Sequence, residues 1–511
     1  MKEFLKKLGR GVTGRKGIGN TVTVAIIIAV VMLNILAYTL TNAFGLYVYS
    51  PEKYDLSISG STDELFAKSI SLGKKVTVTF CYGSADTLEK HSTGSLVLTT
   101  AREFEERYPE LIDIRFVNLL TKQDENGVIV DFDKYLQDGK YTLKQSSVIF
   151  ESGEGEEWSC RVLTDTVSSA GYIDFYTLDA SGNILSYNGE EVMAAMLSWV
   201  LHSEHPVAYF TQNHGETADV AFSNLLTCAG YYVEVINLRK SEIPEDAGLV
   251  IISNPTSDFE MSVANADVRG EINKLEDYLS GGGKLYVALD PYVRKLTNLE
   301  GLLEKWGITL SGDVNENNVL VRDIVRESSN AITTDGYTFV ATHADNNIAN
   351  KVCEMVEKYG NDRIIMSEVT RLKLNSELGA APLLVSGSTS TTHAGGELTD
   401  SEGNYAVAAY SRRTEANGKD STVLVIPTAY ILASDALLSE NYSNKDFVYS
   451  ALEVLFDSNP TPRGCNTVTY RTSILENLTM GRAKLYTAIT LLIPVALAVF
   501  GAVTIIRRKN R

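Results

Sequence analysis

Four residues in the middle of the chain have types and settings that suggest chemistry: His214, Glu216, Asp258 and Asp290. His214 and Glu216 lie in the loop of Val207-Ala208-Tyr209-Phe210-Thr211-Gln212-Asn213-His214-Gly215-Glu216, directly after an apolar run that reads as a strand. Open α/β folds bind ligands beyond the carboxyl ends of their strands, so a histidine there is a candidate ligand contact. A hydrogen bond that simply holds the loop is the alternative reading for the same imidazole. Glu216 opens a predicted helix and suits its positive end. Asp258 and Asp290 follow two later apolar runs, and paired acids there could face the His214 loop as hydrolytic partners.

Other reactive patterns are weaker. Nucleophilic enzymes of this general layout place Cys or Ser on a sharp strand-to-helix turn. The turn Leu289-Asp290-Pro291-Tyr292 carries neither, and Cys228 falls inside a predicted helix. His202-x-x-His205 lacks the three or four convergent ligands that zinc needs, so no metal site is expected. Gly281-Gly282-Gly283-Lys284 precedes a strand, whereas a phosphate loop follows one, so it reads as helix termination. No cofactor is expected and the chain is read as non-enzymatic. The five cysteines (Cys81, Cys160, Cys228, Cys353, Cys465) form no close pairs and suggest neither a disulfide framework nor a zinc cluster.

The elements that would position these residues divide into two parts. Residues 53–189 read as a small α/β domain. Its strands are expected at Lys75–Phe80, Asp113–Leu119, Ser147–Phe150 and Trp158–Leu163, with a helix over Leu96–Tyr108. That order looks thioredoxin-like, but no Cys-x-x-Cys supports redox chemistry. Residues 190–205 read as an amphipathic connecting helix. Pro206 then opens a larger α/β domain over 206–460, with strands at Val207–Phe210, Tyr232–Ile236, Gly248–Ile252, Lys284–Leu289 and Thr422–Pro427. Helices are expected over Glu216–Ala229, Arg269–Leu279, Leu299–Trp306 and Lys445–Phe456. Strands apolar on both faces predict a mostly parallel sheet covered by helices, and the layout looks glutamine-amidotransferase-like without the nucleophile. Residues 313–398 read as an irregular insertion or sheet extension, with a loop over Ser386–Gly396.

Two uncharged stretches flank this body, Thr21–Val48 and Leu485–Ile506. Each exceeds the roughly 20 residues that cross a bilayer, and both are expected as transmembrane helices, the first as an uncleaved anchor. The flanks 1–20 and 507–511 are basic, and 461–484 reads as a juxtamembrane linker. The tails hold ten of the 46 basic residues and one of the 64 acidic ones, leaving 36 and 63 for the rest. Basic tails are retained inside, so both termini are expected in the cytoplasm and the acidic body outside it, in the cell membrane. Such an acidic surface is a poor match for nucleic acid.

The motifs resemble a family. The loop Asn213-His214-Gly215-Glu216 is similar to the Gly-His-Gly-Glu loop of GldG-like auxiliary subunits of ABC-type transport systems. Pro255-Thr256-Ser257-Asp258-Phe259 resembles that family's P-x-x-D-F turn. Tyr278-Leu279-Ser280-Gly281-Gly282-Gly283-Lys284-Leu285 with Leu289-Asp290-Pro291 resembles its glycine-rich segment. Leu302-Leu303-Glu304-Lys305-Trp306-Gly307-Ile308 resembles its Trp-Gly helix end. The resemblance runs in order from about Lys53 to Arg511, with the sharp motifs between Val207 and Ile308. It implies a non-catalytic subunit beside an ABC permease and ATPase, engaging an exported substrate or an envelope component. An envelope hydrolase acting at the His214 loop and a structural envelope scaffold are the alternatives.

Overall fold

The computed structural model describes residues 56–91, 93–137, 142–165, 174–178, 182, 184–202, 204–217, 220–262, 269–314, 320–439 and 441–470. Leu56 to the end of the described chain belongs to one compact unit.

Its first part contains α1 (Ser61–Ser71), β1 (Val76–Phe80), α2 (Gly94–Arg107), β2 (Ile112–Asn118), β3 (Val148–Ser152) and β4 (Ser159–Leu163). The alternation of Val76, Val78 and Phe80 with Thr77 and Thr79 suits a strand between two neighbours. β1 runs parallel to β2, with Val78 opposite Ile114, and antiparallel to β3, with Val78 opposite Phe150. β4 extends the sheet antiparallel to β3, and Gln123–Asp124 adds a two-residue edge beyond β2.

α3 (Gly189–Leu201) is not the amphipathic connector expected over 190–205: every one of its 13 residues is buried. It packs on β1, β3 and β4 and also touches α1 and α2 and the first helix of the larger part. Its two first-turn acids are buried because each has partners. Glu190 accepts from Ser59 N (2.7 Å), Ser59 Oγ (2.5 Å) and Asn466 N (2.6 Å). Glu191 pairs with Lys445 Nζ at 2.9 Å through both oxygens. α3 therefore ties together segments far apart in sequence.

The larger part begins β5 (Val207–Thr211), α4 (Val220–Cys228), β6 (Tyr232–Ile236), β7 (Ala247–Ser253), α5 (Glu271–Ser280), β8 (Lys284–Ala288) and α6 (Thr297–Lys305). It continues with β9 (Thr338–His343), α7 (Asn347–Tyr359), β10 (Ile364–Ser367), β11 (Ala380–Val385), β12 (Ala406–Thr414), β13 (Asp420–Ile426) and α8 (Asn444–Phe456). The main path of its sheet runs β10-β9-β11-β12-β13-β8-β7-β5-β6.

β6, β5, β7, β8 and β13 are parallel. β12, β11, β9 and β10 continue the sheet antiparallel. The expected mostly parallel sheet is thus corrected to a mixed one. The physical reason is that the region read as an irregular insertion or sheet extension supplies β9, β10 and β11, and with β12 after it extends the sheet antiparallel. Within it, Ser390–Ala394, expected in a loop, is a strand between Ile324–Arg326 and Glu397–Gly403. The core on one side of the parallel half is Val250, Ile252, Val287 and Val425 against Leu275, Leu279, Leu299 and Leu303.

The expected fold class of a body flanked by two transmembrane helices is corrected as well. Among the described residues no helix is long and apolar enough to cross a membrane. The longest, α2, has 14 residues, so at 1.5 Å per residue it spans about 21 Å against roughly 30 Å of hydrocarbon. The stretches 21–48 and 485–506 lie outside the described residues. The supported fold class is a mixed α/β unit with several sheets, and the expected membrane location and two-pass topology have no spanning helix to rest on among the described residues.

Candidate functional site

The five parallel strands stand in the order 2-1-3-4-5 when counted along the chain. The direction of winding reverses between β5 and β7, so their carboxyl ends border the sheet's switch point, where doubly wound folds open a crevice. The loops leaving these two strands contain His214 and Asp258 respectively.

The His214 loop is built from backbone geometry. Gln212 N donates to Ile236 O (3.0 Å), which closes the end of β5 against β6. Asn213 (φ 85°) and Gly215 (φ 78°) both adopt left-handed conformations and turn the chain sharply on either side of His214. At Gly215 the turn also requires the absence of a side chain, because a Cβ would lie 2.1 Å from Thr256 Oγ1. His214 O accepts from Thr256 N (2.7 Å), Ser257 N (2.9 Å) and Thr256 Oγ1 (3.1 Å), and Thr217 N donates to Ser253 O (3.0 Å). The two loops of the switch point are therefore sewn to each other.

The turn drives the His214 side chain inward, where it has no exposed surface. Its ring stacks on Phe259 with centroids 3.9 Å apart and planes 17° from parallel. Nδ1 lies 3.1 Å from Glu216 Oε1, and Nε2 lies 2.9 Å from Glu271 Oε2. Glu216 Oε2 also accepts from His214 N at 2.6 Å. Glu271, the first residue of α5, accepts from Glu260 N at 2.9 Å. Burial pushes the His214 pKa down, but the hydrogen bonds its ring donates to Glu216 and then Glu271 outweigh it and lift it to about 9. Burial likewise opposes ionisation of Glu216 and Glu271, and the bond to His214 wins in each, leaving both carboxyls below their ordinary range. The centre is an imidazolium clamped between two carboxylates.

Such a group is poorly suited to general base work. With a pKa of about 9, only about 1% of His214 is neutral at pH 7. Both ring nitrogens are already engaged, and the ring touches no solvent. What the cluster does well is fix the loop conformation.

Asp258 and Asp290 are not brought into this cluster. Asp258 Oδ2 accepts from Asn298 N (2.8 Å) and its Oδ1 from Leu299 N (3.1 Å) and Phe259 N (2.9 Å). It caps the first turn of α6, and Asn298 Nδ2 donates back to Phe259 O at 2.7 Å. Asp290 Oδ1 accepts from Tyr292 N (2.8 Å) in a local turn after β8. Tyr292 is 68% exposed and its hydroxyl donates to Glu368 Oε1 at 3.1 Å. Glu271 is the partner that the motif reading did not single out, and Phe259, quoted there only as the end of the P-x-x-D-F turn, supplies the stacking face. Gln212, Asn213, Gly215 and Thr256 remain exposed around the buried centre and form the rim of the switch point.

The other candidates stay apart. His202 Nδ1 lies 2.7 Å from Ser198 O, while His205 stacks on Trp199 (4.0 Å) with Nδ1 3.3 Å from Gly230 O. Among the described residues no group of three His, Cys, Asp or Glu is arranged to hold a metal ion. None of the five cysteines is in a disulfide, and Cys228 is packed inside α4.

No family model matches the chain, and no curated protein matches it. Solved structures do. One is described as "mmIFT52 N-terminal domain", at 15% identity and a TM-score of 0.35, over 49% of this chain and 97% of that one. A ThuA-like protein from Bacteroides uniformis matches at 12% identity and TM-score 0.30, over 51% and 97%. PurLQS from Thermotoga maritima matches at 12% identity and TM-score 0.27, over 49% and 98%. Likenesses this distant carry no functional argument.

Proposed function

We propose that this chain is a non-catalytic auxiliary subunit of an ABC-type transport system, binding its permease and ATPase partners or the transported substrate through the rim of the switch point. The observation that carries the reading is the state of His214: buried, charged and clamped by Glu216 and Glu271. A centre of this kind stiffens two loops and leaves their outer residues to do the binding. Gln212 and Asn213 suit that role, because their exposed side-chain amides offer both donors and acceptors. The identity of the partners comes from the resemblance of the four motifs to GldG-like subunits.

The test is co-purification of the tagged full chain from its native cells in mild detergent. An ABC permease and its ATPase are expected in the eluate, and the Gln212→Ala/Asn213→Gly double variant, which keeps the left-handed turn, is expected to lose them while melting like the wild type. Repeated recovery without either subunit overturns the proposal.

A further inference from the structure

The two edges of the large sheet end differently. At one edge, β10 is closed by a side chain. Ile365 N donates to Asn444 Oδ1 and Ile365 O accepts from Asn444 Nδ2, both at 2.9 Å, so the start of α8 covers that strand. At the other edge lies β6, whose strand neighbour among the described residues is β5 alone. Tyr232 N donates to Pro206 O and Gln212 N donates to Ile236 O, so Tyr232, Glu234 and Ile236 turn their backbone groups toward β5. Val233 and Val235 therefore turn their N–H and C=O groups outward, and no hydrogen bond among the described residues reaches them.

Open edges are usually blunted by proline, lysine or a bulge. β6 has none of these. Its register with β5 is unbroken, Glu234 is its one charged residue, and Val235 is 63% exposed. A cavity of about 320 Å³ opens where the strand begins, and Tyr232, Trp158, Glu156 and Glu157 stand in its lining. Glu156 and Glu157 are both exposed, and neither is in an ion pair among the described residues. Side chains alternate along a strand, so Tyr232 and Glu234 share one face while Val233 and Val235 share the other. The edge thus offers an acidic face that runs into an acidic cavity, an apolar face, and two outward N–H and two outward C=O groups between them.

We propose that β6 docks an extended segment of a partner protein, added antiparallel to the sheet. Apolar residues of that segment lie across Val233 and Val235, where the backbones exchange hydrogen bonds. Basic residues lie across Glu234 and Tyr232, the latter entering the cavity beside Glu156 and Glu157. Main-chain bonds supply the affinity, and the alternation of basic and apolar side chains supplies the specificity. A second copy of this chain is the poorer occupant. Pairing Val233 of one copy with Val235 of the other sets Glu234 directly against Glu234, and like charges directly opposite are destabilising. This inference is independent of the switch-point reading.

The test is fluorescence-anisotropy titration of the full chain, at pH 7 and low salt, into a labelled short peptide of alternating lysine and valine. One control peptide alternates glutamate and valine. The other keeps lysine and valine but is N-methylated at the valines, which removes the N–H groups facing β6 and leaves the charge unchanged. Saturable binding of one lysine–valine peptide per chain is expected, with both controls weaker by about tenfold or more. Glu156→Gln/Glu157→Gln is expected to weaken binding by about tenfold. Val235→Pro removes an N–H that the sheet does not use and is expected to abolish binding. The N-methylated peptide decides the matter if Val235→Pro fails to fold. Absence of binding, equal binding of either control, or unchanged binding in a folded variant overturns the proposal. A dimer that Val235→Pro dissolves, in a chain that binds no peptide, overturns it in favour of a second copy.

Discussion

Raising the pH should loosen this protein through one histidine. His214 has an ordinary pKa of 6.5, and its folded-state pKa is lifted to about 9. A raised folded pKa means that the stabilisation is fully present below pH 6.5 and is lost as the pH climbs through 9. Between those limits the folded state holds one proton that the unfolded state has released. Stability therefore falls by about 1.4 kcal/mol per pH unit, and by about 3 kcal/mol across the window. The assay is urea unfolding followed by tryptophan fluorescence at half-unit steps from pH 6 to 9.5, in wild type and in His214→Gln.

The variant is needed because other groups titrate nearby. His205 is pushed down to about 4 by burial, so near its ordinary 6.5 only the unfolded chain takes up a proton there, which adds a rising slope at the acid end of the window that fades above about pH 7.5. The buried thiols of Cys81 and Cys160 are pushed up to about 12 and begin to favour the unfolded chain only near its own thiol pKa. Both proteins share these groups, so their difference isolates His214. His214→Gln is also expected to be less stable at pH 6.5 by about 3–5 kcal/mol, because Glu216 and Glu271 lose the charge between them. Parallel pH profiles for the two proteins would refute the clamped-imidazolium account.

Two further perturbations probe the same reasoning elsewhere. Asp258→Ala should cost about 1–2 kcal/mol by uncapping α6, and Asp258→Asn should recover most of it; equal losses in chemical denaturation would show that the cap is not what Asp258 provides. Glu327 is 2% exposed, and although burial opposes its ionisation, Ser390, Thr389 and Ser329 together draw its pKa down to about 2. Its contribution is present above the ordinary value of 4.5 and is lost as the pH falls toward 2, so Glu327→Gln should flatten the acid limb of a stability profile between those values.

The parallel half of the large sheet is legible in the sequence because its strands are apolar runs. Val250-Ile251-Ile252 and Leu285-Tyr286-Val287 are buried on both faces, and glycines such as Gly230 and Gly282 stop the helices between them. The antiparallel half is not. β12 reads Ala406-Val407-Ala408-Ala409-Tyr410-Ser411, and alanine and serine carry little strand preference of their own. Their strand state comes from β11 and β13 on either side, which is information no local window holds. The candidate site divides the same way. Gly215 announces a tight turn locally, whereas Glu271 lies 57 residues from the histidine it clamps and reads as an ordinary first-turn acid. Asp258 looks like a free acid after a strand, yet its partners are backbone amides 40 and 41 residues downstream.

These cases share a device that also revises the electrostatic reading of the composition. Glu190, Asp258, Glu271, Glu300 and Glu327 each accept a backbone N–H, and all five also reach a segment or a side chain more than twenty residues away. Glu300 shows the pattern in its most enclosed form, taking Leu296 N at 2.7 Å while Arg322 Nη2 lies 2.7 Å away, with both side chains only 6% exposed. An ionised carboxylate can accept several charge-assisted bonds at once, so it can hold loops that no disulfide spans here. Glu271 and Glu300 also face a cation, His214 and Arg322, whereas Glu190, Asp258 and Glu327 are satisfied by backbone amides and hydroxyls. The formal balance of −18 therefore counts groups held inside the molecule as well as those on its surface, and arguments from net charge apply to the exposed charges of both signs.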